Sequence, residues 1–413
     1  MPVQLADLLR QGAAGFLREH ALEAAQARAW RALCACRTPL LGGQQLACSA
    51  CSHTHWQYHS CRNRHCPQCG ARARDAWLRG RLAELLPLPY THLVFTLPHE
   101  LNSLFRQQPR WCIEALFAAV SATLKDFAAN PRWMGVRDGQ PAFSLVLHTW
   151  SQDLRQHLHL HAVMACGVLG ADGQWHTPSR GASFLFPVQA LSRVFRARYL
   201  QMLKQRAEQA DAADDINLTA AGRKRLYRHD WVVYAKTPLA GPAHALSYLS
   251  RYTHRTAIGN ERLQQLSPTE QGDEVVFSVR ADAHGGKRSV RLPLAEFIRR
   301  FLLHVLPAGV QRIRHYGILA NGCKKRQLAQ ARQALQQPAP EPLAMEAAAD
   351  FMQRVARIDT GACPRCHQGR LRVMARCAGV RWLPAPGAGA IAPRTAPVPH
   401  SARAPPMAPQ GCT

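Results

Sequence analysis

Three histidines alternate with leucine in Gln156-His157-Leu158-His159-Leu160-His161, and the chain then turns to small apolar residues at Ala162-Val163. Alternation is strand geometry, so the imidazoles of His157, His159 and His161 share one face and the leucines the other. Two imidazoles at i and i+2 can point at one divalent cation if a third ligand arrives from elsewhere. Downstream, Tyr248-Leu-Ser-Arg-Tyr252 sets two phenols four residues apart. On a helix both hydroxyls emerge on one face, about one turn apart. Metal-holding histidines with paired tyrosines suit an enzyme that breaks a phosphodiester and keeps one end covalently attached. Taken singly, each element also has a plainer use: alternating histidines line exposed strands, and tyrosines four apart pack helices.

Cysteine supplies a second constellation. Cys48-Ser-Ala-Cys51 and Cys66-Pro-Gln-Cys69 are two Cys-x-x-Cys knuckles with 14 residues between them. Each knuckle can present two sulfurs to one tetrahedral ion, so the expectation is a ribbon with one structural Zn²⁺ on Cys48, Cys51, Cys66 and Cys69. Cys61, His65, His53, His55 and His59 are spare potential ligands, which leaves another choice or a second ion open. Cys34 and Cys36 read as core thiols, with the alternative that they too join a metal set. A third knuckle, Cys363-Pro-Arg-Cys366, is followed only by Cys377, with His367 as a further candidate, and reads as an incomplete site. Arg62, Arg64, Arg72, Arg74, Arg79 and Arg81 crowd the first module, which suits either phosphate contacts or an ordinary solvated face.

These residues sit in a chain of 413 with 52 Lys and Arg against 26 Asp and Glu, a net charge of +26. Such an excess points to nucleic acid or an anionic surface. No apolar run approaches the roughly 18 residues of a spanning helix, and the first residues lack a basic-then-apolar signal layout. The expectation is a cytoplasmic protein with no membrane partner, in which 14 cysteines mean metal rather than disulfides.

The elements that must position the histidines follow from pattern. Residues 3–33 read as helix, 90–98 as a buried strand, 99–128 as helix and 142–150 as a second strand, with the histidine strand running to about 169. The last two strands are closely linked and should pair antiparallel. That pairing brings His148 or Gln152 alongside His159 and His161, and His148 is the first choice of third ligand over Gln152 and His157. Helix is expected over 187–210, strand over 231–235, and helix again around Tyr248 and Tyr252. A hairpin should follow over 275–279 and 289–292, then helix over 294–306 and a basic strand or loop over 312–317. The fold class is α+β, a sheet covered by helices. Expected domains are 1–88 (helical and zinc-binding), 89–330 (catalytic), 331–362 (linker and helix) and 363–413 (a degenerate knuckle with a disordered Pro/Ala/Gly-rich tail).

At these residues the sequence resembles the rolling-circle transposases of the insertion-sequence ninety-one family, within the His-hydrophobic-His (HUH) nuclease superfamily. The resemblance is carried by Ser60-Cys-Arg-Asn-Arg-His-Cys-Pro-Gln-Cys69, Leu147-His-Thr-Trp150, His159-Leu-His161, Tyr248-Leu-Ser-Arg-Tyr-Thr-His-Arg255 and Glu296-Phe-Ile-Arg-Arg-Phe-Leu-Leu-His-Val-Leu-Pro307. It covers roughly residues 25–325. One departure is His157-Leu158, where family members often carry His-Pro. The resemblance implies a HUH-type domain with a central antiparallel sheet flanked by helices, nicking and rejoining single-stranded DNA at the ends of a mobile element. It further implies Tyr248 and Tyr252 as nucleophiles that form a 5′-phosphotyrosine, with Mg²⁺ or Mn²⁺ on His159, His161 and a third ligand. Arg62, Arg64, Arg251 and Arg255 would meet DNA, and the expected partners are single-stranded and double-stranded DNA at the element ends. Two rivals remain: a plasmid relaxase or replication initiator using the same chemistry, and a non-catalytic zinc-ribbon DNA-binding regulator.

Overall fold

The computed structural model describes residues 3–181, 185–209, 219–239, 256–281, 286–340 and 346–379. Tertiary contacts divide them into two units, one made of residues 3–72 and 346–379, the other of residues 73–340. The division near 72 differs from the expected boundary at 88, because residues 86–90 belong to the core of the larger unit. The segment from 346 onward groups with the first module and is not a separate domain.

In the first unit, helices Leu5–Gln11, Ala13–Glu19 and Ala24–Ala35 precede strands β1 (Gly42–Cys48) and β2 (Thr54–Tyr58). The single helix expected over 3–33 is broken at Gly12 and again around residues 20–23. The third helix is closed at its start by a capping box between Glu23 and Gln26.

The larger unit is built on strands β3 (Tyr90–Thr96), β4 (Gln140–Trp150), β5 (Gln156–Leu169), the short β6 (Trp175–His176) and β7 (Val233–Leu239). Three further strands, β8 (Leu263–Thr269), β9 (Gly272–Arg280) and β10 (Lys287–Pro293), form a separate antiparallel sheet that contains the expected hairpin. Strand β11 (Ile313–Gly317) returns to the main sheet, whose order is β11-β4-β5-β3-β7, with β6 paired to β5. All these neighbours are antiparallel. The α+β expectation, an antiparallel sheet flanked by helices, is met. The last strand, β12 (Leu371–Ala378), belongs to the first unit and pairs there with β1.

Sheet parity decides which side chains face which layer. Leu158, Leu160, Ala162 and Met164 of β5, with Leu93 and Phe95 of β3 and Leu145 and Leu147 of β4, pack into the main core beneath helices Pro109–Ala129 and Val188–Gln209. The first of these helices starts with proline at its first position, where a missing N–H costs nothing, and stops at Asn130-Pro131. Val163 and Ala165 of β5, with Tyr90 and Val146, face the opposite way into a smaller cluster with Ile318, Leu328 and Ala331. His159 and His161 carry the parity of Val163, so they lie on the face away from the main core.

The turn between β4 and β5 is held from outside the sheet. Leu154 adopts φ +62°, a left-handed conformation rare for leucine, and is fully buried. Its carbonyl accepts a 3.0 Å hydrogen bond from Nε2–H of His304, whose Nδ1 accepts from the Thr149 hydroxyl at 3.2 Å. Burial pushes the His304 pKa down to about 4. A histidine that stays neutral when folded but titrates near 6.5 when unfolded stabilises the fold above pH 6.5. It withdraws that stability as pH falls toward 4. We predict that thermal stability drops across this window, and that His304→Gln flattens the slope by about 1.4 kcal/mol per pH unit. An unchanged slope in pH-dependent melts of the variant would count against this role.

Candidate functional site

Strand register brings the histidines together. His148 of β4 sits directly opposite His159 of β5, while His161 lies between Val146 of β4 and Val94 of β3. The candidate ligand nitrogens of His148, His159 and His161 all lie within 4.8 Å of one another. All three are buried, at 3%, 9% and 8% exposure. The ring of His148 stacks on Trp150, centroids 4.8 Å apart, which fixes its plane.

Each ring of the β5 pair also has a partner behind it. Nδ1–H of His159 donates to the carbonyl of His157 at 2.9 Å, leaving Nε2 with a lone pair. His161 Nδ1 lies 2.9 Å from Nε2 of His92 on β3. Burial pushes His92 down to about 3 and His159 down to about 4, so both imidazoles are neutral near pH 7. Neutral His92 can accept from Nδ1–H of His161 and turn the other nitrogen of His161 outward. Three converging imidazoles, two of them oriented by hydrogen bonds in this way, fit a divalent cation.

The other two candidates for third ligand, Gln152 and His157, are not part of this set of three. Gln152 Oε1 accepts from the Arg280 backbone N–H at 2.7 Å, tying the β4–β5 turn to β9. His157 is half-buried and its ring lies 5.2 Å from that of His99. His92 was not singled out in the sequence, where it looked like one residue of a buried strand. Its signal was parity: a histidine two residues before Val94, on a strand that had to lie next to the His-Leu-His strand.

The cysteines group differently from the expected ribbon. Cys36, Cys61, Cys66 and Cys69 form one set, with Sγ pairs at 3.5 Å (Cys36–Cys69), 3.7 Å (Cys61–Cys69) and 3.7 Å (Cys36–Cys66). Cys48 and Cys51 lie with Cys363 and Cys366 instead. The quartet Cys48, Cys51, Cys66, Cys69 is therefore not assembled, and Cys36 is not an idle core thiol. The reason is the β1–β2 hairpin: Cys48 and Cys51 sit at its tip, while Cys36 and Cys61 flank its base. Seven residues of strand separate tip from base by roughly 20 Å. The third knuckle, expected to be incomplete, belongs to a set of four.

Arg62 and Arg64 are exposed on the Cys61–Cys66 loop. Tyr248, Tyr252, Arg251 and Arg255 lie outside the described residues. Among the described residues, no helix is long and apolar enough to cross a membrane.

The fold and its centre define an α+β protein with a buried cluster of three imidazoles that could hold a metal ion, and a cysteine-rich zinc-binding module. Residues 8–97 match the family model described as "Transposase zinc-binding domain", and residues 143–327 match one described as "Putative transposase". The "Putative transposase y4qJ" of Sinorhizobium fredii is 40% identical over 383 residues, covering 89% of this chain and 94% of the relative. The "Transposase for insertion sequence element IS801" of Pseudomonas savastanoi pv. phaseolicola is 28% identical over 343 residues, covering 80% of this chain and 79% of the relative. The chain belongs to the insertion-sequence ninety-one family of transposases. Among solved structures it is similar to the conjugative relaxase TrwC in metal-bound complex with oriT DNA, at 14% identity and TM-score 0.24. That likeness covers 62% of this chain and 96% of the relaxase chain. TrwC complexed with a 27-mer comprising the recognition hairpin and the cleavage site is also similar, at 18% identity and TM-score 0.22, covering 33% of this chain and 54% of that one.

If His92 orients His161, its loss should weaken metal binding without unfolding the sheet. We predict that His92→Ala lowers Mn²⁺ affinity about 10- to 100-fold. His92→Gln, which retains a hydrogen-bonding group, should recover part of it. Calorimetric titration beside a thermal melt checks this; wild-type affinity in a folded His92→Ala protein would remove the positioning role.

Proposed function

We propose that this transposase nicks and rejoins single-stranded DNA at the ends of its element, using Tyr248 and Tyr252 as nucleophiles beside a divalent cation on His148, His159 and His161. The observation that carries the reading is the convergence of three buried imidazoles from paired strands, two of them hydrogen-bonded from behind. Imidazole ligands favour Mn²⁺, while availability favours Mg²⁺. A cation there supplies positive charge to a phosphate oxygen.

The protein's own groups do the rest. A tyrosine hydroxyl, with its ordinary pKa near 10, attacks phosphorus and loses its proton. The new bond joins the phenolic oxygen to phosphorus, the bond from phosphorus to the 3′ oxygen breaks, and that oxygen leaves as a 3′-hydroxyl. The 5′ end stays on the tyrosine. The phosphodiester energy is retained, so a 3′-hydroxyl can reverse the attack and reseal a strand with no nucleotide cofactor. Two tyrosines allow two ends to be held or exchanged in turn. Arg251 and Arg255, beside and after the tyrosines, and Arg62 and Arg64 of the zinc module are assigned to phosphate contacts.

His148→Ala should weaken Mn²⁺-supported nicking as much as His159→Ala does, measured at limiting metal. Normal cleavage by the His148 variant would remove it from the ligand set.

Phenylalanine keeps the ring and removes only the attacking oxygen, so a packing role tolerates the change and a nucleophile does not. We predict that the double variant Tyr248→Phe/Tyr252→Phe folds, binds DNA and forms no covalent adduct. Each single variant should keep some nicking yet fail in complete transposition. The assay is a denaturing gel with labelled single-stranded element ends, run beside melts. Adduct formation by the folded double variant would return both tyrosines to the core.

A further inference from the structure

We infer that Cys48, Cys51, Cys363 and Cys366 bind a second structural zinc ion, which fastens the segment from residue 346 onward to the first module. The four sulfurs lie within 4.8 Å of one another. Two contacts bridge the sequence gap: Cys48–Cys366 at 3.6 Å and Cys51–Cys363 at 3.9 Å, between residues 318 and 312 positions apart. Four thiolates around zinc, each with a bond of about 2.3 Å, stand about 3.8 Å from one another. A disulfide would need about 2.05 Å.

The backbone is shaped to match. In both knuckles a main-chain N–H donates to the first or second sulfur of its own loop, Ala50 to Cys48 at 3.3 Å and Gly369 to Cys366 at 3.4 Å. The loops also bind each other: the Ser49 N–H donates to the Arg370 carbonyl at 2.9 Å, and the Arg370 N–H donates to the Ser49 hydroxyl at 3.0 Å. A Cβ on Gly369 would meet Cys48 Sγ at 2.3 Å and Ala50 Cβ at 2.8 Å, so the knuckles approach as only glycine permits. Strand β12 then runs back along β1, from Leu371 opposite Cys48 to Ala378 opposite Gly42.

Apolar burial cannot hold this segment. Among residues 346–379 only Phe351, Cys363 and Gly369 are buried, while Val373 and Met374 of β12 are exposed. A strand with so little to bury depends on another source of free energy. Metal binding to ligands that assemble only in the folded state supplies it. The Transposase zinc-binding match ends at residue 97 and so includes only half of this set.

The test is zinc content of the full chain, measured by mass spectrometry in a His159→Ala/His161→Ala background that removes the imidazole site. The parent should carry two equivalents of zinc. Cys363→Ser/Cys366→Ser and Cys61→Ser/Cys66→Ser should each carry one. Gly369→Val keeps every thiol but drives the knuckles apart, and should lose the same ion as the Cys363→Ser/Cys366→Ser pair. Because serine variants can misfold, Co²⁺ titration of the unmutated cysteines gives an independent reading, with thiolate charge-transfer absorption rising to two equivalents. Two zinc ions in the Cys363→Ser/Cys366→Ser chain would overturn the assignment. Saturation by one Co²⁺, or a Cys48–Cys366 or Cys51–Cys363 disulfide in protein purified under reducing conditions, would do the same.

Discussion

The pairing of β4 with β5 is the constraint on which the larger unit depends. A strand has two faces, and a slip of one residue exchanges them. In the observed register Leu158, Leu160 and Ala162 fill the main core while His159 and His161 face away from it, with His148 opposite His159. A slip would push two imidazoles into the apolar layer beneath the helices and expose the leucines. Burying those leucines is worth about 2 kcal/mol each, so the core enforces the register and the register assembles the site. The turn that joins the strands is clamped at Leu154 by His304 and at Gln152 by β9, which leaves little freedom for the pairing to shift.

Burial does a second job at the site. The chain carries a formal charge of +26, yet His92, His159 and His304 are held neutral by desolvation. Neutral imidazole is the form that donates a lone pair to a metal ion. The site therefore needs no proton release from His159 near pH 7 before it accepts a cation. The cost is an acid-sensitive fold, since every such histidine gains a proton on unfolding below about pH 6.5. Orientation comes from hydrogen bonds behind the rings, one to a backbone carbonyl of β5 itself and one with His92 of β3, so three adjacent strands contribute to the placement of three imidazoles.

The first unit answers a different problem. Its helices bury Leu5, Leu8, Leu9, Phe16, Trp30 and Leu33, but its three-stranded sheet is thinly covered and β2 is largely exposed. Two sets of four thiols stand at opposite ends of the β1–β2 hairpin, one at the base with Cys36 and one at the tip with the knuckle at Cys363. Cross-links at both ends stiffen a hairpin that apolar packing alone would leave marginal.

Much of this was legible in the sequence. The alternation in 157–161 specified a strand with all its histidines on one face, and the short connection to 142–150 specified its antiparallel neighbour. Together they were enough to place His148 beside His159 and His161, because local periodicity and turn length are properties of contiguous residues. The hairpin at 275–292 and the helix Val188–Gln209 were readable for the same reason. Tertiary structure alone decided what is held by distant residues. His92 joins the site only because β3 inserts beside β5. The cysteine partners could not be read from spacing, because a hairpin carries one knuckle about 20 Å from the other and a knuckle more than 300 positions further along supplies the missing thiols. Spacing along a chain identifies which residues can bind metal; which of them share an ion depends on how the chain returns upon itself.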